Sequence, residues 1–445
     1  MTHRALLLAV VGAFAAASFA AAQPKLTREQ KVRQDRQKVE REGFWIYNDL
    51  PKAFAEARET GKPILVALRC IPCEECVKLD DDLVDRDPVV RPLLDKFVCV
   101  RVVSTNGLDL SLFQFDTDQS FAAFMLNADG TVYGRFGTRS HRTAWRQDVS
   151  VEGLGKALRG ALELHAEYPA NREVLAAKRG PQPLFPTPEK FPTLRDKYGP
   201  ALDYKGDVVR SCIHCHQIGD ATRDYYRTRG EPIPERVLFP YPHPKALGLI
   251  LDPEEKATVE EVTPGSLAAE AGFRKGDEIL TLEGQPLLSL ADVQWVLHHA
   301  PPEGELKATV KRGGQTRTLT LTLPPGWRRL DDISWRAGSW PLRRMALGGM
   351  LVEDMTAEQR KEFGAPAEGM ALRVRHVGQY GPHAAAKNAG FRPDDVIVAF
   401  GGVSERMRET DLLAHAVNAH KPGERVKVTV LRKGERVEMT LPMQQ

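Results

Sequence analysis

A nine-residue stretch in the C-terminal half occurs twice. Ala271-Gly272-Phe273-Arg274-Lys275-Gly276-Asp277-Glu278-Ile279 returns 118 residues later as Ala389-Gly390-Phe391-Arg392-Pro393-Asp394-Asp395-Val396-Ile397. Gly304-Glu305 returns as Gly423-Glu424 and Arg312 returns as Arg432, so the offset drifts by only one or two residues. Such a repeat means two copies of one folded unit, which leaves the first half of the 445 residues for everything else. In each copy the Gly after Ala permits a left-handed turn, and the acidic pair or Gly-Asp that follows caps the turn into a strand. Thr318-Leu319-Thr320-Leu321-Thr322-Leu323 alternates with period two, as a half-buried strand does, and Glu438-Met439-Thr440-Leu441 stands in the same place in the second copy.

The order of these signals resembles the PDZ domain of bacterial envelope proteins, over about 244–325 and 345–443 with a linker at 326–344. The resemblance implies that a protein or peptide C-terminus adds as a strand beside a groove, its carboxylate held by backbone N–H groups of one loop. That loop is Ala246-Leu247-Gly248-Leu249 in copy one and Ala346-Leu347-Gly348-Gly349 in copy two. The candidate peptide-binding residues are therefore Leu247, Gly248, Leu249, Leu347 and Gly348. Both loops depart from a Gly-apolar-Gly-apolar pattern, the second more than the first. Tandem PDZ domains often follow a trypsin-like protease, but the preceding 240 residues lack a Gly-x-Ser-Gly nucleophile site, so the expectation is that the chain is not a serine protease.

Met1 to Ala22 has a short polar start at His3-Arg4, an apolar run to Phe19, and Ala20-Ala21-Ala22 before Gln23, which reads as a cleaved signal peptide. The alternative is an uncleaved anchor. No later segment approaches 18 unbroken apolar residues, so the expected mature chain has no transmembrane span and lies in the periplasm or another extracytoplasmic space. Sixty-two basic against 59 acidic side chains, a net charge of +3, argue against nucleic acid as a partner. Residues 23–43 read as a charged, solvated leader. From 44 to 167 come a short helix ended by Gly61, a buried strand at Pro63 to Leu68, a second apolar run at Phe97 to Val103, a hairpin turning at Asp129-Gly130, and a closing helix at Val151 to His165. This is a small α/β domain. Seven prolines between Tyr168 and Pro200 mark an extended connector, drawn over 168–243.

Six cysteines are too few for a disulfide-stapled scaffold, and five of them lie in two clusters. The first, Cys70-Ile71-Pro72-Cys73-Glu74-Glu75-Cys76, holds two overlapping Cys-x-x-Cys pairs after a buried strand. A thiol at a helix N-terminus is favoured as thiolate, and a second thiol three residues on resolves the mixed disulfide. The segment resembles the thioredoxin-like fold, which selects Cys73 as the attacking thiol and Cys76 as the resolving one, with Cys70 as an auxiliary. The register Cys70 with Cys73 remains open, as do a purely structural disulfide and a metal site. Glu74 and Glu75 should raise the pKa of Cys73. Cys99, inside an apolar strand, reads as a buried thiol.

The second cluster, Cys212-Ile213-His214-Cys215-His216, is the pattern for attachment of haem c, with Cys212 and Cys215 as thioether anchors and His216 as the iron ligand. No methionine occurs between Met125 and Met345, so His243 is the best candidate for the sixth ligand, with His141 or an open site as alternatives. A Cys212 to Cys215 disulfide and a zinc site are the competing readings.

The whole order resembles a bacterial family described as thioredoxin-like/PDZ (seleno)proteins, including Trp45-Ile46-Tyr47-Asn48-Asp49-Leu50, Gly326-Trp327-Arg328-Arg329 and Asp332-Ile333-Ser334-Trp335-Arg336. The fold expectation is multidomain, α/β plus β-rich: a thioredoxin-like domain followed by two PDZ domains. The function expectation is an exported thiol–disulfide redox protein, a thiol-disulfide oxidoreductase whose PDZ domains bind client proteins. The alternatives are a c-type haem protein for electron transfer or sensing, and a non-enzymatic PDZ scaffold.

Overall fold

Continuous apolar runs form strands only where both sheet faces are covered, and Ile64–Arg69 and Val98–Val102 are buried at every position. The computed structural model describes residues 26–69, 87–119, 121–141 and 145–445. The N-terminal sheet has the order β1-β3-β2-β4-β5, with β1 at Ile46–Tyr47, β2 at Ile64–Arg69, β3 at Val98–Val102, β4 at Phe121–Leu126 and β5 at Val132–Phe136. β1, β3 and β2 run parallel, while β4 and β5 are antiparallel to their neighbours. Alternate residues feed two cores. Leu65, Ala67, Cys99 and Met125 pack with Leu154, Ala157 and Leu158, and Ile64, Val66, Val100 and Phe124 pack with Ala53 and Ala57.

Helix α1 (Arg28–Glu42) corrects the expectation of a solvated leader. Its Asp35 pairs with the buried Arg69 at the end of β2, Arg33 donates to the carbonyls of Tyr204 and Gly206, and Glu29 accepts from the N–H groups of Val208 and Val209. Val32 and Val39 are the only apolar residues of this helix, so the sequence carries no hydrophobic stripe to mark which of its charges face inward. Helix α2 (Leu50–Thr60) ends at Gly61 in the left-handed conformation, and α3 (Val151–Ala166) starts on a Ser150 cap. The proline-rich connector is a strap on the first domain, with Lys178, Phe191 and Leu194 buried. It leads into α4 (Cys215–Thr228).

In copy one of the repeat, β6 (Leu249–Leu251) pairs with β7 (Val259–Val262). A second sheet has the order β11-β10-β8-β9, from β8 (Glu278–Leu282), β9 (Gln285–Pro286), β10 (Gly304–Arg312) and β11 (Gln315–Leu323), and α5 (Leu290–His299) lies beside these sheets. Copy two is one sheet, β12 (Met350–Asp354), β13 (Leu372–Val377), β14 (Val396–Phe400), β15 (Arg425–Arg432) and β16 (Glu435–Pro442), in sequence order. It is flanked by α6 (Ser339–Leu347) and α7 (Glu409–Ala419). Helix α6 begins inside the stretch read as linker. The repeated motif carries a repeated device: Arg312 grips the Asp277 carboxylate and the Gly272 carbonyl, and Arg432 does the same to Asp395 and Gly390.

Candidate functional site

Cys70, Cys73 and Cys76 lie outside the described residues. β2 reaches Arg69 at the end of the sheet where the parallel strand β3 also ends, so the chain enters the first cysteine cluster from that edge. The second cluster is bound to the same edge. Just past β3, Thr105 donates its N–H and hydroxyl to the Ile213 carbonyl at 3.1 and 2.9 Å. Asn106 exchanges bonds with the Ser211 carbonyl and the Ile213 N–H at 3.0 and 2.8 Å. Ile213 is fully buried, Cys212 is buried, and Cys215, the first residue of α4, packs against the core that holds Phe113 and Phe115. Cys212 and Cys215 are not bridged to one another. Cys99 is the buried thiol the sequence predicts; burial pushes it well above the usual thiol range, and it contacts the Leu94 carbonyl.

His216 is half-exposed, with Nδ1 3.4 Å from Asp220. The hydrogen bond to Asp220 raises its pKa. Its ring stacks parallel to that of His214, whose pKa burial lowers. His243 is brought to a different place: its Nδ1 accepts from the Lys245 N–H and its Nε2 is 3.5 Å from Asp148, which also takes Lys245 and Ser140. Burial opposes the Asp148 charge, but the bonds from His243, Lys245 and Ser140 outweigh it and hold the carboxyl far below its ordinary range. Cys212 is buried, Cys215 packs on the domain core, and His243 accepts from Lys245 at Nδ1 while its Nε2, 3.5 Å from Asp148, has no hydrogen-bond partner among the described residues. The cavity beside α4 is lined by residues 218–226 of that helix rather than by Cys212, Cys215 or His216.

The two PDZ loops differ in what covers the adjoining strand. In copy one, Gly248 (φ 80°) caps a short turn whose Lys245 carbonyl accepts its N–H, and a Cβ there would fall 2.1 Å from the Ser266 hydroxyl. Leu247 and Leu249 are buried in the domain core, and among the described residues β6 has β7 as its one strand neighbour, leaving the other edge without a strand. In copy two, the Gly348 and Gly349 N–H groups go to the carbonyls of Arg344 and Arg343, which cap α6, and Leu347 is fully buried. β12 is likewise an edge strand, but its Val352 N–H donates to Glu409 at 3.0 Å, and Glu409 is held by Arg343 of α6 at 2.6–2.8 Å. Leu342, Met345 and Leu347 of α6 pack with Leu412, Leu413 and Val417 of α7. The sequence reading missed Glu409 and Arg343. The Gly-Gly at 348–349 was the available signal, since it suits a helix cap better than a carboxylate loop.

Comparison with known proteins agrees with this architecture. A family model described as thioredoxin-like matches residues 45–128, and one described as PDZ domain matches residues 245–323 and 357–443. A probable periplasmic serine endoprotease DegP-like from Pseudomonas savastanoi pv. phaseolicola is 26% identical over 196 residues, 43% of this chain and 38% of the relative. The periplasmic pH-dependent serine endoprotease DegQ of Escherichia coli is 30% identical over 148 residues, 33% of this chain and 29% of the relative. The chain thus spans about a third of the length of these curated relatives. Among solved structures, the HtrA-type protease AlgW with decapeptide has a TM-score of 0.21 at 16% identity, over 32% of this chain and 48% of that one, a likeness too small to carry an argument. These relatives are serine endoproteases, which corrects the enzyme class expected from sequence: both the assignment to the oxidoreductases and the exclusion of a serine protease are withdrawn. Among the described residues no helix is long and apolar enough to cross a membrane. The chain is a thioredoxin-like/PDZ protein, one thioredoxin-like domain followed by two PDZ domains.

Proposed function

We propose that this is an exported, client-binding protein in which PDZ copy one takes an extended peptide segment as an added strand on β6, next to a thiol redox centre in the N-terminal domain. The observation that carries it is the contrast between the two edge strands. Among the described residues β6 has no strand on its second edge, whereas Val352 of β12 is already bonded to Glu409. The redox part is supported by the placement of Cys212 and Cys215 at the edge of the sheet where β2 leads into Cys70. An extracytoplasmic location is supported by the signal-like start and the periplasmic relatives.

Fluorescence polarisation tests the peptide site with a labelled decapeptide ending in valine, as free acid and as amide. The free acid should bind about tenfold or more tightly than the amide, and Gly248→Ala should abolish binding while Gly349→Ala, in copy two, leaves it in place if the variant folds. Equal binding of acid and amide, or no binding, refutes the site. Thiol titration with and without reductant, read with the visible spectrum of exported protein, tests the redox part. Reversible loss of free thiols without a Soret band is expected. A Soret band lost in Cys212→Ser would assign haem instead, and casein hydrolysis by the same preparation would assign the relatives' activity.

A further inference from the structure

A cavity of about 250 Å³ lies where the first domain, the proline-rich strap, α4 and the end of α5 meet. No motif of the sequence points to it, and it shares no lining residue with the PDZ loops or the cysteine clusters. Leu110, Phe113, Phe191, Ile218 and Tyr226 give it apolar walls, and Leu184, an exposed leucine of the strap, stands on it. Gly219 contributes no side chain, and a Cβ there would meet Thr117 and Arg223.

Donors outnumber acids among the charged groups of the cavity, beside the amide and hydroxyl groups of Gln114, Thr117, Gln182 and Thr222. Arg223 is 4% exposed. Its Nη2 is taken by Asp220 and by the Gly338 carbonyl, but its Nε–H has no hydrogen-bond partner among the described residues. Arg236, exposed among the lining residues, makes no ion pair among the described residues. His298 accepts the Tyr241 N–H at Nδ1, which leaves Nε2–H as a donor, and burial keeps the ring neutral. The one acid in the lining, Asp118, is already taken by the Gly338 N–H at 2.6 Å and faces Arg336 at 3.8 Å. An orphaned buried N–H costs stability until an acceptor reaches it, and an apolar pocket with a few convergent donors is the usual form of a small-molecule site.

We propose that this cavity binds a small apolar carboxylic acid, its aromatic or branched body against Phe113, Phe191 and Ile218 and its carboxylate accepting from Arg223 Nε–H. The volume, just below the range of drug-sized pockets, limits the ligand to about the size of a two-ring acid. The site is independent of peptide binding on β6 and of thiol chemistry.

Isothermal titration of the full chain with 2-naphthoate, 2-naphthylmethanol and 2-naphthylmethylamine tests it. The acid should bind with a Kd below about 1 mM and at least about tenfold more tightly than the alcohol, with the amine weakest. Thr222→Phe fills the cavity from α4, where the Thr222 hydroxyl only bonds back to the Ile218 carbonyl, and should abolish binding of the acid with the melting temperature retained. Arg223→Gln should erase the preference of acid over alcohol. Because Arg223 also holds Gly338, the comparison of acid with alcohol on the unmodified chain stands as the primary readout. Failure of the acid to bind, equal binding of the alcohol, or binding that survives Thr222→Phe overturns the proposal.

Discussion

At the scale of single residues, the histidines beside the cavity show how burial sets protonation. His299 donates Nδ1–H to the Trp295 carbonyl and lies against its indole, and burial pushes its pKa down to about 4. The unfolded chain binds a proton near the ordinary value of 6.5, while the folded chain refuses it until near 4. The folded state therefore keeps its full contribution from this group above about pH 6.5 and loses it as pH falls toward 4, an effect that solvent at the exposed ring screens to about 1 kcal/mol. Melting curves should show stability declining through that window, and His299→Gln, which preserves a donor for Trp295, should flatten the decline. An unchanged slope would place the pH sensitivity elsewhere. Two histidines at the end of a helix give no sequence cue to this, because the depression comes from the packing of the connector and first domain around them.

Among elements, one stabilising device is encoded by the repeat itself. Arg312 and Arg432 each close a hairpin back onto an aspartate whose side chain is fully or almost fully buried. Removing the arginine leaves that carboxylate unpaired inside the fold, so Arg312→Ala or Arg432→Ala should each cost about 3 kcal/mol in urea denaturation. A loss below about 0.5 kcal/mol would show that water reaches the aspartate instead. These pairs were legible as aligned residues, since Asp277 with Arg312 and Asp395 with Arg432 recur at matched offsets. The strands were legible for the same reason: continuous apolar runs for β2 and β3, alternation for β11. The closure of β12 by Glu409 and α6 was not legible. It depends on contacts across 57 and 66 residues, from Glu409 to Val352 and Arg343, and neither end carries a local pattern.

The whole molecule is held together by charges that a reading of separate domains does not anticipate. Arg336, 3% exposed, pairs with Asp116 of the first domain at 2.7 Å and donates to the Pro240 carbonyl at 2.9 Å. On the other side, Lys178 of the strap and Arg135 of β5 meet Asp292 of α5, and Trp295 donates to the Ala177 carbonyl. Chain order, domain identity and the cysteine clusters could be read from sequence, but this interface could not, because it joins residues about 100 to 220 positions apart. Calorimetry should show one cooperative transition for the native chain and two for Arg336→Ala, the earlier belonging to whichever half loses its partner. A single transition for the variant would mean that the Asp292 contacts alone suffice. The occupied edge of β12 has a further consequence for valency. Two PDZ copies in one chain invite the expectation of avidity, each copy holding one tail of a divalent client. On the proposal that copy one is the peptide site, Glu409 on the Val352 N–H leaves the chain one hand rather than two, and a client with two tails should bridge two chains instead of being gripped twice by one.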